Sequence, residues 1–239
     1  MAFGLFARES LVAAAPCDLH ACGDAPCVAA HSTTRGLYDA YNGPLYQMMR
    51  ASDQTTTDIP LCSPGGVANA AAQDSFCEGT SCVITVIYDQ SSRNNHLTPA
   101  PPGGAASGAE VNGYDSPANA TMAPVTLGGN KAYGVYITRG SGYRNDDTSG
   151  IATGDEPEGM YAVFDGRHYN RRCCFDYGNA ETNDDDTGNG HMEAIYFGAG
   201  DGSGYGTGLG KGPWITAIWK TALFSGFQQT HDPGDPSIT

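Results

Sequence analysis

Two adjacent cysteines, Cys173 and Cys174, open the run Cys-Cys-Phe-Asp-Tyr-Gly-Asn-Ala-Glu at residues 173–181. A bond between their sulfurs would close a strained eight-membered ring. Neighbouring Cα atoms lie about 3.8 Å apart across a trans peptide, below the usual disulfide span of about 4.4–6.8 Å. Strain of this kind clusters at functional sites, and the ring would offer a ligand a flat, rigid, apolar sulfur face. The other reading is structural: each cysteine bonds a different, distant partner. Chemistry alone leaves both readings open.

Other groups that could do chemistry lack the right spacing. The Gly-rich stretch Gly202–Gly212 ends Gly210-Lys211-Gly212, but a phosphate-binding loop needs Gly where Tyr205 stands and Ser or Thr where Gly212 stands. It reads as a strand connection. Asn183-Asp184-Asp185-Asp186-Thr187-Gly188 lacks the alternating oxygen ligands and the twelfth-position Glu of a calcium loop, and reads as a solvated acidic turn. There is no Gly-x-Ser-x-Gly elbow. The six His show no metal spacing, and His31 and His191 read as buried, hydrogen-bonded residues. No pair of CxxC motifs has zinc spacing, so no metal and no cofactor are expected. Asp176, Glu181 and Glu193 read as structural acids of strand connections.

The elements that must position these groups follow from composition and pattern. The chain has 239 residues, 40% of them hydrophobic, with 33 Gly and 14 Pro. It is too apolar for a disordered chain and too broken for long helices. Thirteen Tyr among many turn residues point to an all-β protein. The net charge of −14 argues against nucleic acid or an anionic membrane as partner and suits neutral carbohydrate. No segment is long enough to span a membrane. Eight Cys suit an oxidising compartment, and Asn119-Ala120-Thr121 is a glycosylation sequon consistent with secretion. Residues 1–15 end in Ala13-Ala14-Ala15 like a cleavage site, but Arg8-Glu9 interrupts the apolar run, so they read as a degraded signal peptide.

Helical character is expected over Val28–Tyr41 and in the Ala-rich Val67–Phe76. Strands are expected at Leu45–Arg50, Cys82–Tyr88, Ala132–Ile137, Met160–Phe164, His191–Phe197 and Pro213–Lys220, with a Pro/Gly/Ala loop at Pro99–Gly108. Many short strands bounded by turns indicate a β-sandwich of jelly-roll or concanavalin-like type. No linker separates two domains.

Several dense stretches together carry a resemblance. They are Pro26-Cys27-Val28-Ala29-Ala30-His31-Ser32-Thr33-Thr34-Arg35, Ile87-Tyr88-Asp89-Gln90-Ser91 with Asn95-His96-Leu97-Thr98, Ala100-Pro101-Pro102-Gly103-Gly104, Gly159–Val163, Cys173–Glu181, Gly190–Tyr196 and Leu223-Phe224-Ser225-Gly226. From about Pro16 to the last residue the chain resembles the catalytic domain of the fungal α-L-arabinofuranosidase B family, glycoside hydrolase family 54. The resemblance implies a secreted, monomeric β-sandwich enzyme that acts on arabinose-containing plant cell-wall polysaccharide. It would remove terminal L-arabinofuranose with retention, which takes two carboxyl groups about 5–5.5 Å apart. It also implies disulfides Cys17–Cys27 and Cys77–Cys82, and a vicinal Cys173–Cys174 bridge under the sugar. Cys22 and Cys62 are left over, either paired with each other or free.

The chain departs from that pattern where the nucleophile should be. The resemblance places a Glu in a run like Asp-Leu-Glu-Asn between Gly-Pro-Trp and Leu-Phe-Ser-Gly. Here Gly212-Pro213-Trp214 and Leu223–Gly226 match, but the run is Ile218-Trp219-Lys220-Thr221. Lys220 stands at the nucleophile position, and Ile218, Thr221 and Ala222 stand at substrate-binding or neighbouring polar positions. An ammonium cannot form the glycosyl ester and sets positive charge beside an oxocarbenium-like transition state. The codons GAT-TTG-GAA-AAC, read one base later and followed by G, give ATT-TGG-AAA-ACG, which encode Ile-Trp-Lys-Thr. One local shift of frame, restored before Leu223, therefore accounts for all four residues. The family's acid/base Asp, later strands and C-terminal arabinose-binding β-trefoil have no counterpart here. The expectation is a poorly soluble, hydrolytically inactive chain. The rival readings are a non-catalytic sugar-binding sandwich and a non-functional gene fragment.

Overall fold

The computed structural model describes residues 14–102, 108–153, 156–169, 174–179, 194–198, 214–219 and 222–225. At 174–176, 214, 216–219 and 222–225 the backbone alone is described. Among the described residues almost all regular structure is β, with two helices of 7 residues each, and no described helix is long and apolar enough to cross a membrane. The chain divides into two compact units.

The first unit holds residues up to 99, with 117–138 and 142–145. It begins with α1 (Pro16–Cys22), which starts on a proline, a residue whose fixed φ and missing N–H suit the first helical position. Its central sheet runs β2 (Thr56–Ile59), β1 (Tyr46–Arg50), β3 (Cys82–Ile87), all antiparallel. α2 (Ala70–Phe76) is capped by the Asn69 side chain, which accepts from the Ala72 N–H at 3.1 Å. β4 (Thr98–Pro99) pairs with β7 (Tyr143–Arg144), and β5 (Pro124–Leu127) pairs with β6 (Asn130–Tyr133). The β5–β6 turn uses Gly128 and Gly129, both at positive φ, as a two-residue hairpin of this twist requires.

Alternation along β1 and β3 makes the core. Tyr46 and Met48 of β1 meet Ile84 of β3, Leu45 and Ile59, all fully buried. Each such aliphatic side chain contributes about 1.5–3 kcal/mol on burial. Two polar groups enter this core together: Tyr46 donates its hydroxyl to Gln73 Oε1, and Gln73 Nε2 donates to the Ala120 carbonyl at 2.7 Å. Burial raises the Tyr46 pKa well above the usual phenol value, with Tyr133 and Asp74 adding to the effect. The disulfides Cys17–Cys27 and Cys77–Cys82 both form, while Cys22 and Cys62 are free and exposed. The second bridge joins the end of α2 to the start of β3; by chain entropy a loop this short stabilises by about 2 kcal/mol.

Residues 28–41 correct one expectation, because no helix forms there. Side chains take the donors that a helix would use. Asp89, 3% exposed, accepts from the N–H groups of Ala30, Ser91 and Asn95 and from the Ser91 hydroxyl. Ser32 Oγ accepts from the Thr34 and Arg35 N–H groups, and buried Gln90 accepts from Leu37. His31 bridges to Asp89 in the backbone and donates Nε2–H to the Asn95 carbonyl at 2.7 Å. Burial lowers the His31 pKa below 6.5, outweighing Asn95 and Asp89, which raise it.

The second unit holds residues 100–116, 139–141 and 146 onward. Its sheet has the order β11 (Ala222–Ser225), β10 (Trp214–Trp219), β9 (Ala194–Gly198), β8 (Cys174–Gly178), again antiparallel throughout. The expected strands at His191–Phe197 and Pro213–Lys220 appear as β9 and β10 with shifted ends. Met160–Phe164 is irregular instead. Phe164 is held by its ring, stacked at 5.4 Å on Phe197, so this segment docks through a side chain and not through a ladder.

Candidate active site

Three of the candidate residues, Cys174, Ile218 and Ala222, fall on β8, β10 and β11, and the pairing register relates their backbones. Cys174 is opposite Gly198, which is opposite Trp214 on its other side. Gly178 is opposite Ala194, which is opposite Ile218, itself opposite Leu223. Directly paired residues lie on one face of a sheet, and alternate residues along a strand return to it. Cys174, Asp176, Tyr196, Thr216 and Ile218 therefore share a face. Along the strands Cys174 and Ile218 belong to rows four residues apart, about 14 Å. Ala222 pairs with Trp219, one step from Ile218. Cys173, Lys220 and Thr221 lie outside the described residues, as do Glu181, His191 and Glu193.

The opposite face carries Phe175, Ile195, Phe197 and Ile215 by the same register. Phe197 is 4% exposed, stacked on Phe164 and edge-on to Tyr169 at 6.2 Å. Sequence reasoning missed this aromatic anchor; its signal was the pair of aromatics Phe164 and Tyr169 upstream of β9. Two ties flank the sheet. Asn179, just after β8, donates Nδ2–H to Glu158 at 3.2 Å and to the Ala152 carbonyl at 3.3 Å. Between the two aromatics, Arg167 binds Asp165 and holds its carboxyl below the usual range.

By residue type this face carries a cysteine, an aspartate, a tyrosine and a threonine. Among the residues that the pairing register puts on this face, Asp176 is the single acidic residue. Ile218 puts an aliphatic residue in the same face. No group of three metal-ligating side chains occurs among the described residues. Outside this sheet, Asn119 of the sequon is half-buried, and its Oδ1 accepts from both the Thr121 N–H and hydroxyl at 2.9 and 3.0 Å.

Comparison with known proteins bears on the same residues. Residues 16–239 match the family model described as the catalytic part of α-L-arabinofuranosidase B. A probable α-L-arabinofuranosidase B of Aspergillus fumigatus is 66% identical over 238 residues, covering 100% of this chain and 46% of that protein. The α-L-arabinofuranosidase B of Aspergillus oryzae is 62% identical, covering 100% of this chain and 47% of that one. The chain thus spans about half the length of the curated relatives it matches. Among solved structures, a family 54 α-L-arabinofuranosidase soaked with a cyclic sulfate inhibitor aligns with a TM-score of 0.83 at 58% identity, over 88% of this chain and 43% of that one. An arabinofuranosidase complexed with arabinofuranosyl-α-1,2-xylobiose aligns with a TM-score of 0.84 at 57% identity, over 90% and 45%. The fold is the all-β sandwich class that the strand pattern indicated. A match across nearly the whole chain, in sequence and in backbone, makes it a member of the α-L-arabinofuranosidase B catalytic family.

Proposed function

We propose that this chain derives from an enzyme that releases terminal α-L-arabinofuranosyl residues from arabinoxylan and arabinan with retention, and that the chain itself does not turn substrate over. The observation that carries the reading is Lys220, which stands where the family pattern has the nucleophilic Glu. Two further points support it: Ile218 stands where that pattern has a substrate-binding Asp, and Asp176 is the single acidic residue that the register puts on the shared face of β8–β10. In this reading the vicinal Cys173–Cys174 bridge forms a platform under the sugar ring, and Thr221 and Ala222 no longer supply polar contacts. The chain works outside the cell as a monomer, and Asn119 carries a glycan. The departing run arises from one shift of reading frame, and resequencing the locus checks this. Codons for Ile-Trp-Lys-Thr that cannot be shifted back to Asp-Leu-Glu-Asn would rule it out.

The direct test is release of 4-nitrophenol from 4-nitrophenyl α-L-arabinofuranoside by the purified chain. No turnover is expected, and clear turnover refutes the reading. A reciprocal exchange sharpens it. Placing Ile-Trp-Lys-Thr at the matching positions of the Aspergillus oryzae relative should lower its kcat at least a thousandfold, as loss of a covalent nucleophile does. Retained activity there would show that this run does not decide the chemistry.

A further inference from the structure

Arg35 is a cation whose surroundings are arranged but not complete. Its N–H donates to Ser32 Oγ at 3.2 Å, its carbonyl accepts from Gln90 Nε2 at 3.1 Å, and its backbone bridges to Val67. Its Nε donates to the Gly36 carbonyl at 2.9 Å. Backbone and Nε are thus fixed, which leaves the two terminal guanidinium nitrogens as a pre-set fork. Arg50 and Arg167, by contrast, each bind a neighbouring aspartate in the chain. Among the described residues no carboxylate pairs with Arg35, in a protein of net charge −14.

Arg35 borders a cavity of about 290 Å³ within the first unit. Gly65, Gly66 and Val67 form the same wall, and Leu127, Gly128 and Asn130 of the β5–β6 hairpin form the other. The glycine wall is fixed by close approach: a Cβ on Gly36 would meet Gly65 Cα at 2.7 Å, and one on Gly65 would meet the Asp39 carbonyl at 2.5 Å. The lining contains no acid. Asn130 donates Nδ2–H to the Gly128 carbonyl, leaving its Oδ1 as an acceptor at the rim.

We propose that this cavity binds a sugar acid, a hydroxylated carboxylate of about one monosaccharide. The carboxylate meets the terminal nitrogens of Arg35, since planar guanidinium recognises carboxylate with two parallel hydrogen bonds. A ring hydroxyl donates to Asn130 Oδ1, and the carbon face of the ring lies on Val67 and Leu127. The volume, about 290 Å³, sits at the lower end of small-molecule sites and matches about one monosaccharide. Pre-orientation of Arg35 lowers the entropy lost on binding. The proposal does not depend on hydrolysis or on the face of β8–β10.

Titration calorimetry and amide NMR of the full chain test it, with D-glucuronate, D-galacturonate, D-glucose and acetate as probes. The expected result is saturable binding of at least one uronate, at least tenfold tighter than glucose and than acetate, with amide shifts at Gly65, Gly66 and Gly128. Arg35→Met should weaken uronate binding at least tenfold. Asn130→Ala, at an exposed position, should weaken it threefold or more without altering the melting temperature, and so reads the site even if Arg35→Met fails to fold. No uronate binding, equal binding of glucose or acetate, or unchanged affinity in Asn130→Ala overturns the proposal.

Discussion

In the first unit one carboxylate, Asp89, takes three backbone N–H groups and a hydroxyl and is buried with all of them. In the second unit the carboxylate-bearing residue Asp176 belongs to a regular strand whose own hydrogen bonds go to β9. The first acid takes donors that no ladder supplies, one from Ala30 and three from Ser91 and Asn95. The second sits on a strand whose place is set by its pairing with β9. The difference teaches which polar residues a fold cannot lose and which can change while the strands stay paired. It explains how strand pairing can hold Ile218 opposite Ala194 and Trp219 opposite Ala222 whatever side chains they carry.

The largest expected effect breaks the first side of that comparison. Asp89→Ala should destabilise the first unit by about 4 kcal/mol, since several buried donors lose their acceptor at about 1–3 kcal/mol each. Denaturant unfolding measures this, and a loss under about 1 kcal/mol would remove Asp89 as the tie between Ala30 and the Ser91–Asn95 segment. Next comes the second unit's dependence on apolar anchoring. Phe197→Ala should cost about 3 kcal/mol through its cavity and the lost ring contacts. Hydrogen exchange should then speed up across β8–β10 and leave β1 and β3 protected; uniform acceleration would show the two units to be one cooperative block.

Smaller still is the pH response of the Asp89 region. His31 is held neutral in the fold by burial, while an unfolded His takes up a proton near pH 6.5. The unfolded chain binds more protons below that pH, so stability is full above about 6.5 and falls as pH drops toward the lowered folded value. His31→Asn should flatten the melting temperature between pH 7 and pH 5. An unchanged slope would place the pH response elsewhere.

What could be read from the sequence follows the same division. β3 was legible because Cys-Val-Ile-Thr-Val-Ile alternates and is β-branched. α2 was legible from its alanines, although it starts only after Asn69. Residues 28–41 misled, because Leu37, Tyr38 and Tyr41 have helical spacing while the acceptors that override it, Asp89 and Gln90, lie more than fifty positions away. β8 was not recognised as a strand: Cys174–Gly178 was read for its sulfur chemistry, and its pairing with β9 depends on a register that sequence does not carry. The short disulfides came from the family resemblance, and geometry confirms both. The placement of Ile218 opposite Ala194, on the face of Asp176, needed the strands themselves.

The two disulfides among the described residues span 10 and 5 residues, and that brevity sets how this part of the chain would respond to force. A covalent link hides from a pulling load only the chain it encloses. At about 3.4 Å per extended residue, both bridges together hide about 40 Å of contour. Under load these two bridges would therefore change the stretched length very little between the oxidised and reduced states. Resistance to extension here rests on the paired strands and on the Asp89 knot, with the sulfurs acting as local rivets at the base of α1 and between α2 and β3.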